Sequence, residues 1–149
     1  DRQRARATPH MREADEQRVV DELDEAAPFD YEFETGEELA WLRPGIQSRV
    51  LRRLRRGYWS VQDEVDLHQM NTDAATRSIR IFLDHALASG KRCVRIIHGK
   101  GLRSGPGGPR LKTVTARVLS RHPRVLAFAS APPTDGGTGA VYVLLKHTK

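Results

Sequence analysis

The architecture of this chain follows from residues 61–98, which read VQDEVDLHQMNTDAATRSIRIFLDHALASGKRCVRIIH. Residues 61–68 predict a short strand, and residues 92–98 predict a buried, largely apolar strand. Either Asn71 or Thr72 caps a helix between them. Five apolar residues share one face of that helix: Ala75, Ile79, Phe82, Leu83 and Ala86. A strand, a helix and a strand in this order predict a parallel crossover.

The chain then continues with a second helix and two further strands. A glycine-rich loop over residues 99–108 leads to Pro109, a good first residue for a helix. Strands are predicted over residues 124–131 and 140–146, with a glycine-rich turn between them. The fold class is therefore expected to be α/β: a two-layer sandwich whose β-α-β-α-β-β order gives a mixed four-stranded sheet with two helices, preceded by an N-terminal helical extension.

A strongly basic helix is predicted over residues 45–56, just before this unit. At 100° per residue, four apolar side chains lie on one side, namely Ile46, Val50, Leu51 and Leu54. Five arginines lie on the other side: Arg49, Arg52, Arg53, Arg55 and Arg56. These arginines either track a phosphate backbone, lie on an anionic membrane surface, or form a solvated helix face.

Three segments are expected along the chain. Residues 1–42 form an acidic N-terminal extension that is helical over residues 10–27 and a linker, with at most a short strand, over residues 29–38. Residues 43–60 comprise the basic helix and a connector, and residues 61–149 comprise the α/β domain.

Composition and charge narrow the functional class. The chain has 149 residues, 38% hydrophobic and 30% charged, as expected for one soluble domain. Its longest apolar run is far shorter than the roughly 18 residues that span a bilayer, and its single Cys93 fits a reducing cytoplasm. Residues 1–42 carry a net charge of −8 and residues 43–149 a net charge of +14. The basic part favours a polyanionic partner, of which nucleic acid is the commonest.

Two histidine motifs follow the two parallel strands, whose carboxyl ends meet at one edge of the sheet. Asp66 and His68 are two residues apart, so both side chains leave the same face of the strand. A carboxylate in that position orients an imidazole for general acid or base chemistry, although a buried histidine or an Asp-capped turn gives the same pattern. His98-Gly99-Lys100-Gly101 adds a second imidazole, a cation and two glycines that let backbone N–H groups approach a phosphate.

The loop chemistry excludes several common sites. The glycine pattern matches neither the P-loop nor the dinucleotide fingerprint, so no nucleotide cofactor is expected. No Cys pair or H-E-x-x-H motif is present, and no metal site is predicted, although Mg²⁺ near Asp66 stays open as an alternative. Arg103 and Arg110 extend the cationic loop.

Together these segments resemble the Smr (small MutS-related) domain family, in its stand-alone bacterial endonuclease branch. The resemblance rests on Asp66-Leu67-His68, on His98-Gly99-Lys100-Gly101 and on Gly136-Gly137-Thr138-Gly139-Ala140. It implies an endonuclease or nucleic-acid-binding module with a fold similar to the C-terminal domain of translation initiation factor three. Stand-alone relatives are associated with mRNA cleavage at stalled ribosomes, and fused relatives with DNA nicking. Many members carry glycine after the D-L-H motif, whereas Gln69 stands here, so we expect a different loop geometry after His68.

The primary hypothesis is RNA cleavage by two imidazoles without a metal ion. One of His68 and His98 takes the proton of a ribose 2′-OH, the other protonates the departing 5′ oxygen, and Lys100 stabilises the charge on phosphorus. The expected catalytic residues are Asp66, His68, His98 and Lys100. The expected nucleic-acid-binding residues are Arg49, Arg52, Arg53, Arg56, Gly99, Gly101, Arg103, Arg110, Gly136, Gly137 and Gly139.

Two other functions compete with this hypothesis. One is metal-assisted nicking of DNA or RNA, which sensitivity to a chelator would distinguish. The other is a non-catalytic module that binds RNA or the ribosome. The expected partners are RNA in preference to DNA, the ribosome, and no membrane.

Overall fold

The computed structural model describes residues 38–100 and 110–147. In chain order the elements are β1 (Ala40–Leu42), α1 (Ser48–Arg55), β2 (Glu64–Asp66), α2 (Thr72–Ala88), β3 (Cys93–Ile97), α3 (Arg110–Arg121), β4 (Val125–Ser130) and β5 (Ala140–Leu145). Two single-turn 3₁₀ helices, Pro133–Asp135 and Gly137–Gly139, join the last two strands. The helix predicted over residues 10–27 and the linker predicted over residues 29–38, apart from residue 38, lie outside the described residues.

The strands form one mixed sheet in the order β1-β4-β5-β3-β2. β2 pairs with β3 in parallel, whereas the other three pairings are antiparallel. The predicted α/β class and the parallel crossover through α2 are therefore confirmed. The asparagine alternative for the α2 cap is also confirmed, because the side chain of Asn71 accepts a hydrogen bond from the N–H of Ala74 at 2.8 Å.

The sheet has five strands rather than the predicted four. The additional strand, β1, pairs with the edge of β4 and stacks Trp41 on Phe128 with their ring centroids 5.3 Å apart. Just before β1, the N–H of Leu39 donates to the hydroxyl of Ser130 at 2.7 Å. Three residues are too few to show the alternation that identifies a strand in a sequence. This strand is defined instead by its pairing with β4, a distant segment of the chain.

The sheet is covered on both faces, so the domain has three layers rather than the predicted two. One core lies between the sheet and helices α2 and α3, and includes Ile79, Leu83 and Leu119. A second core lies on the opposite face, where Ile46 and Leu54 of the α1 region pack with alternate residues of β4 and β5. Every residue of β4 and β5 is buried, as expected for strands covered on both sides.

A buried arginine connects β1 to the turn between α3 and β4. Arg43 is 0% exposed; its Nε donates to the carbonyl of Val125 at 2.8 Å and its Nη2 to that of His122 at 2.6 Å. Its guanidinium also lies 5.0 Å from the centre of the Trp41 ring, within the range of a cation–π contact. Arg43 thus ties the end of β1 to two carbonyl groups, of which that of His122 also accepts a hydrogen bond from the N–H of Val125 at 3.1 Å.

We predict that Arg43→Ala lowers the free energy of unfolding by about 2–4 kcal/mol, because it removes two hydrogen bonds of a buried guanidinium, at about 0.5–1.5 kcal/mol each, and the contact of the same side chain with the Trp41 ring. Urea denaturation monitored by tryptophan fluorescence measures this change. The exposed Arg49 is the matched control, and Arg49→Ala is expected to change the free energy by less than about 0.5 kcal/mol. Equal effects of the two substitutions would contradict the structural role of Arg43.

Candidate active site

Three loop segments meet at the carboxyl-terminal edge of the parallel strand pair. Asp66 lies opposite Ile97 in the register, and the N–H of Leu67 donates to the carbonyl of Ile97 at 2.7 Å. On the other side of β3, the N–H groups of His98 and Gly99 both donate to the carbonyl of Gly139, at 3.0 and 2.9 Å. The parallel pairing of β2 with β3 therefore brings the Asp66 and His98 segments together, as predicted, and the antiparallel pairing of β3 with β5 adds the Gly139 segment, which was not predicted.

The Gly136–Gly139 turn needs glycine at two positions for two different reasons. Gly136 has a φ of +115°, and a Cβ there would lie 2.7 Å from the Cβ of Ala140. A Cβ on Gly139 would lie 3.0 Å from the Cγ of Lys100 and 3.3 Å from its backbone nitrogen. The missing side chain of Gly139 thus allows the turn to pack directly against Lys100.

Asp66 and His68 form an exposed pair. The Oδ1 atom of Asp66 accepts a hydrogen bond from the backbone N–H of His68 at 3.0 Å and lies 2.7 Å from the Nδ1 of its ring. The side chains are 48% and 61% exposed, so substrate can reach both. With Nδ1–H directed at the carboxylate, the Nε2 atom of His68 is left as the proton acceptor.

The carboxyl of Asp66 is held in its charged form. Partial desolvation raises its pKa, but the hydrogen bonds from the backbone and ring of His68, with the charges of His68 and Arg95, outweigh this effect and lower the pKa below its ordinary value. At neutral pH the carboxylate is therefore ionised and can orient the imidazole.

Gln69 adopts the left-handed conformation directly after this pair, with a φ of +70°. Among the residues described, it is the one non-glycine residue with positive φ. Glycine is the usual residue in this conformation, which costs other residues roughly 1–2 kcal/mol. Gln69 thus adopts a backbone geometry that favours glycine, the residue that the family resemblance leads one to expect there.

His98 occupies a different environment, because its ring is buried and its residue is only 3% exposed. It continues the alternation of Val94 and Ile96, which face the core covered by α2 and α3. Its Nδ1 lies 2.8 Å from the carbonyl of Gly99, so the neutral ring donates a hydrogen bond there. Burial lowers the pKa of His98 to about 4, with a further contribution from the charge of Lys112, and outweighs the opposing effect of the Gly99 hydrogen bond.

The structure thus places the two predicted catalytic histidines at one edge but in unlike surroundings. His68 is exposed beside Asp66, whereas the ring of His98 is buried and neutral at pH 7. A scheme in which both rings contact one phosphate does not fit this geometry. The physical reason is the alternation of a strand, which directs His98 to the same face as Ile96.

The cationic residues predicted around this edge are distributed over both faces of the sheet. Lys100 is exposed beside the glycine turn, and Arg110 is exposed at the first residue of α3. Gly101 and Arg103 lie outside the described residues. The arginines of α1 belong to the opposite layer, where Arg53 lies 4.8 Å from the centre of the Tyr58 ring. Arg49, Arg52 and Arg56 are exposed there.

A polar network that the motifs did not predict holds the glycine turn. The Nε of Arg95 donates to Glu64 at 3.0 Å and its Nη1 to the carbonyl of Asp135 at 2.9 Å, and the guanidinium also forms ion pairs with both carboxylates. The hydroxyl of Tyr142 donates to Asp135 at 2.5 Å. The signal in the sequence was a charged residue, Arg95, inside the otherwise apolar strand CVRII.

Two absences among the described residues bear on the class of site. Residues 38–100 and 110–147 contain no group of three or more His, Cys, Asp or Glu side chains placed to hold a metal ion. None of the helices in these same ranges is long and apolar enough to cross a membrane.

A sequence profile of the Smr domain matches residues 65–146. The chain belongs to the Smr domain family. The predicted resemblance is thereby confirmed, and the matched residues include all three motifs that suggested it.

Two Smr proteins of known sequence illustrate the range of the family. The chain is 36% identical over 110 residues to the probable DNA endonuclease SmrA of Escherichia coli K12, covering 74% of this chain and 59% of that protein. It is 33% identical over 105 residues to the ribosome rescue factor SmrB of Aliivibrio salmonicida, covering 70% and 56%. The chain therefore matches less than two thirds of the length of these two Smr relatives.

Two solved Smr structures share the fold. The chain is similar to YdaL, a stand-alone small MutS-related protein from Escherichia coli, with a TM-score of 0.67 and 32% identity over 79% of this chain and 93% of that one. It is also similar to the Smr domain of Thermus thermophilus MutS2, with a TM-score of 0.51 and 35% identity over 57% and 99%. These similarities confirm the α/β Smr fold.

We predict that the buried His98 makes the fold sensitive to acid. The unfolded chain binds a proton at this residue below a pH of about 6.5, whereas the folded chain does so only below about 4, so stability falls as the pH drops between these values. The loss reaches about 3 kcal/mol, the free-energy equivalent of that pKa shift.

Urea denaturation of the wild type and His98→Asn between pH 7 and pH 4 tests this prediction. The difference in unfolding free energy between the two proteins isolates His98, because His122, whose pKa burial also lowers, is present in both. We expect the advantage of the wild type to shrink by up to about 3 kcal/mol across this range. A difference that stays constant with pH would show that His98 does not bind a proton differently in the two states.

Proposed function

We propose that this Smr domain is an endonuclease that cleaves RNA, with His68 as the general base. The observation that carries the proposal is the exposed Asp66–His68 pair, in which an ionised carboxylate 2.7 Å from Nδ1 leaves Nε2 free to accept a proton. The neighbouring Lys100 and the basic surface support it, because a phosphodiester is an anion and its cleavage adds negative charge on phosphorus.

The reaction uses the 2′-hydroxyl of the substrate as its nucleophile. Nε2 of His68 takes the proton of the 2′-OH as its oxygen bonds to phosphorus, and the bond from phosphorus to the 5′ oxygen breaks. Lys100 stabilises the charge that develops and gives a proton to the departing oxygen, and solvent then restores both side chains. The products are a 2′,3′-cyclic phosphate and a 5′-hydroxyl.

His98 has a positioning role in this scheme. A neutral, buried ring with a pKa of about 4 does not supply a proton at pH 7. Its N–H instead holds the carbonyl of Gly99 at 2.8 Å, immediately before Lys100. The scheme therefore differs from the two-imidazole hypothesis in two roles. Lys100 is the general acid, and His98 holds the loop that carries Lys100.

We predict that His68→Ala lowers the cleavage rate by about 10²–10⁴-fold, because it removes the general base. His98→Asn keeps an N–H near the position of Nδ1 and is expected to retain activity within about tenfold, whereas His98→Ala loses more. Rates on a fluorescent RNA oligonucleotide, with thermal melting of each variant, measure these effects. A His98→Asn variant as inactive as His68→Ala would favour the two-imidazole scheme.

Metal-assisted nicking of DNA is the second candidate function. It is favoured by the 36% identity to a protein named a probable DNA endonuclease, and the exposed carboxylate of Asp66 is a suitable oxygen ligand for Mg²⁺. In this reaction water replaces the 2′-OH, so DNA and RNA are both substrates and the products carry no 2′,3′-cyclic phosphate.

We predict that matched RNA and DNA strands distinguish the two functions. RNA is expected to be cut in the presence of a chelator, with cyclic phosphate ends, and DNA is expected to stay intact because it lacks the nucleophile. Mass spectrometry of the products identifies the ends. Cleavage of DNA that a chelator abolishes would replace the proposed reaction with the metal-assisted one.

The biological substrate is proposed to be mRNA in a ribosomal context. The support is the similarity to a protein named a ribosome rescue factor, together with the exposed arginines of α1. Asp66 lies opposite Ile97, which packs in the core beneath α1, so the catalytic pair and the α1 arginines share one face of the sheet. A strand bound along α1 can therefore reach His68 without crossing the sheet.

A further inference from the structure

A basic groove lies between α2 and α3, on the face of the sheet opposite α1. It encloses a cavity of about 280 Å³ near the carboxyl-terminal end of α3. Six residues line this cavity: Arg80, Asp84, Val118, Arg121, His122 and Pro123. The site described above lies toward the other end of α3, because α3 leads into Val125, which pairs with Leu145, whereas the site lies beside Ile97 and Ala140 at the opposite edge of the sheet.

The charges that face the groove are predominantly positive. Arg80 and Arg121 line the cavity, and Arg124 directly follows Pro123, the last lining residue in the sequence. The charges of Arg80, Arg124 and Asp84 all act on the imidazole of His122, which places each of them within electrostatic range of that ring. Asp84 is the single carboxylate among the six lining residues.

Two of these arginines are available for an external ligand. Arg80 and Arg124 are exposed, and within the described ranges no side-chain hydrogen bond or ion pair engages either guanidinium. Guanidinium groups bind phosphate through paired N–H donors and are more weakly hydrated than ammonium groups. His122 adds a neutral donor, because its Nδ1 accepts the N–H of Arg124 at 3.1 Å and its ring proton is therefore on Nε2.

The arginines of α3 connect the groove with the site. Arg110, Arg117 and Arg121 are spaced seven and four residues apart, which places them on one stripe of the helix. A helix of 12 residues spans about 18 Å. At a rise of about 3.4 Å per nucleotide, that length corresponds to about five nucleotides of a stacked strand.

We propose that this groove is a second phosphate-binding contact for the nucleic-acid strand, which passes from the α1 face around the carboxyl-terminal edge of the sheet to α3 and reaches the groove at least about five nucleotides from the scissile bond. The proposal rests on the proposed function for the position of that bond, but the groove itself is defined by its own charges and cavity. The ligand is the phosphate backbone, so the contact carries affinity without base preference. Asp84 opposes binding and limits the affinity of the groove.

Fluorescence anisotropy with uncleavable 2′-deoxy oligonucleotides of 12 and 4 nucleotides tests the groove. Arg80→Gln and Arg124→Gln are each expected to weaken binding of the 12-mer about fivefold and to lower its salt-dependence slope by about 0.7, the value for one phosphate contact on a single strand. Binding of the 4-mer is expected to stay unchanged, because it does not reach the groove from the site. Asp84→Asn is expected to tighten binding of the 12-mer.

Lys91→Gln is the matched control for net charge. Lys91 is ion-paired with Asp63 at 2.8 Å, and its substitution removes one positive charge just as Arg80→Gln does. We expect it to change 12-mer binding less than twofold. Thermal melting confirms that each variant is folded.

The outcomes separate the groove from the reaction. Equal affinities of Arg80→Gln, Arg124→Gln and Lys91→Gln for the 12-mer would overturn the groove, as would weaker binding by Asp84→Asn. If either result were found and the wild-type protein still cleaved RNA, the groove would be rejected and the proposed reaction would be retained. Groove-dependent binding by a chain that does not cut RNA would support the groove and contradict the reaction.

Discussion

The carbonyl oxygen of Gly139 accepts hydrogen bonds from two consecutive backbone N–H groups, and the arrangement of the site depends on this shared acceptor. The two donors, His98 and Gly99, lie 3.0 and 2.9 Å away, one step beyond the last register pair of β3 and β5. The contact brings Lys100 against a residue without a side chain. It therefore fixes where the cation stands relative to the end of β2, which pairs with the other side of β3.

Adjacent strand ends provide different environments over a short distance. His68 lies two residues after the end of β2 and remains in water beside a carboxylate, whereas His98 directly follows the last residue of β3 and enters the core. In the proposed reaction, solvent exposure makes His68 the imidazole that exchanges protons with the substrate, and burial makes His98 the one that holds the loop. One edge of a small sheet thus holds both an exposed imidazole, to which we assign proton transfer, and a buried imidazole that supports the loop carrying Lys100.

Much of this arrangement could be predicted from the sequence because it depends on local pattern and topology. The β2-α2-β3 crossover follows from an apolar helix face between two strands, and the convergence of the motifs follows from parallel pairing. The burial of His98 also had a signal, because it alternates with Val94 and Ile96. The motif His98-Gly99-Lys100-Gly101 indicated a catalytic imidazole instead, and the prediction of an accessible His98 was based on that motif.

The remaining features depend on residues that are distant in the sequence. β1 is a strand because β4 offers it an edge, and the register of Arg95 with Glu64 comes from pairing across 31 positions. The second covered face of the sheet differs from these features, because it had a local signal in the sequence. The runs VLAFAS and AVYVLL lack the alternation of apolar and polar residues that is typical of a strand with one solvent-exposed face.

The second covered face also determines where the chain can be shortened. The family profile begins at residue 65, but Leu39, Ile46, Leu54 and Trp59 precede it and are buried against the rest of the domain. A fragment limited to the profile would expose the outer face of β4 and β5 and the backbone edge where β1 pairs. An apolar surface next to an open strand edge promotes self-association, so we expect a stably folded fragment of this protein to begin before the residues that the family profile matches, at β1 or earlier.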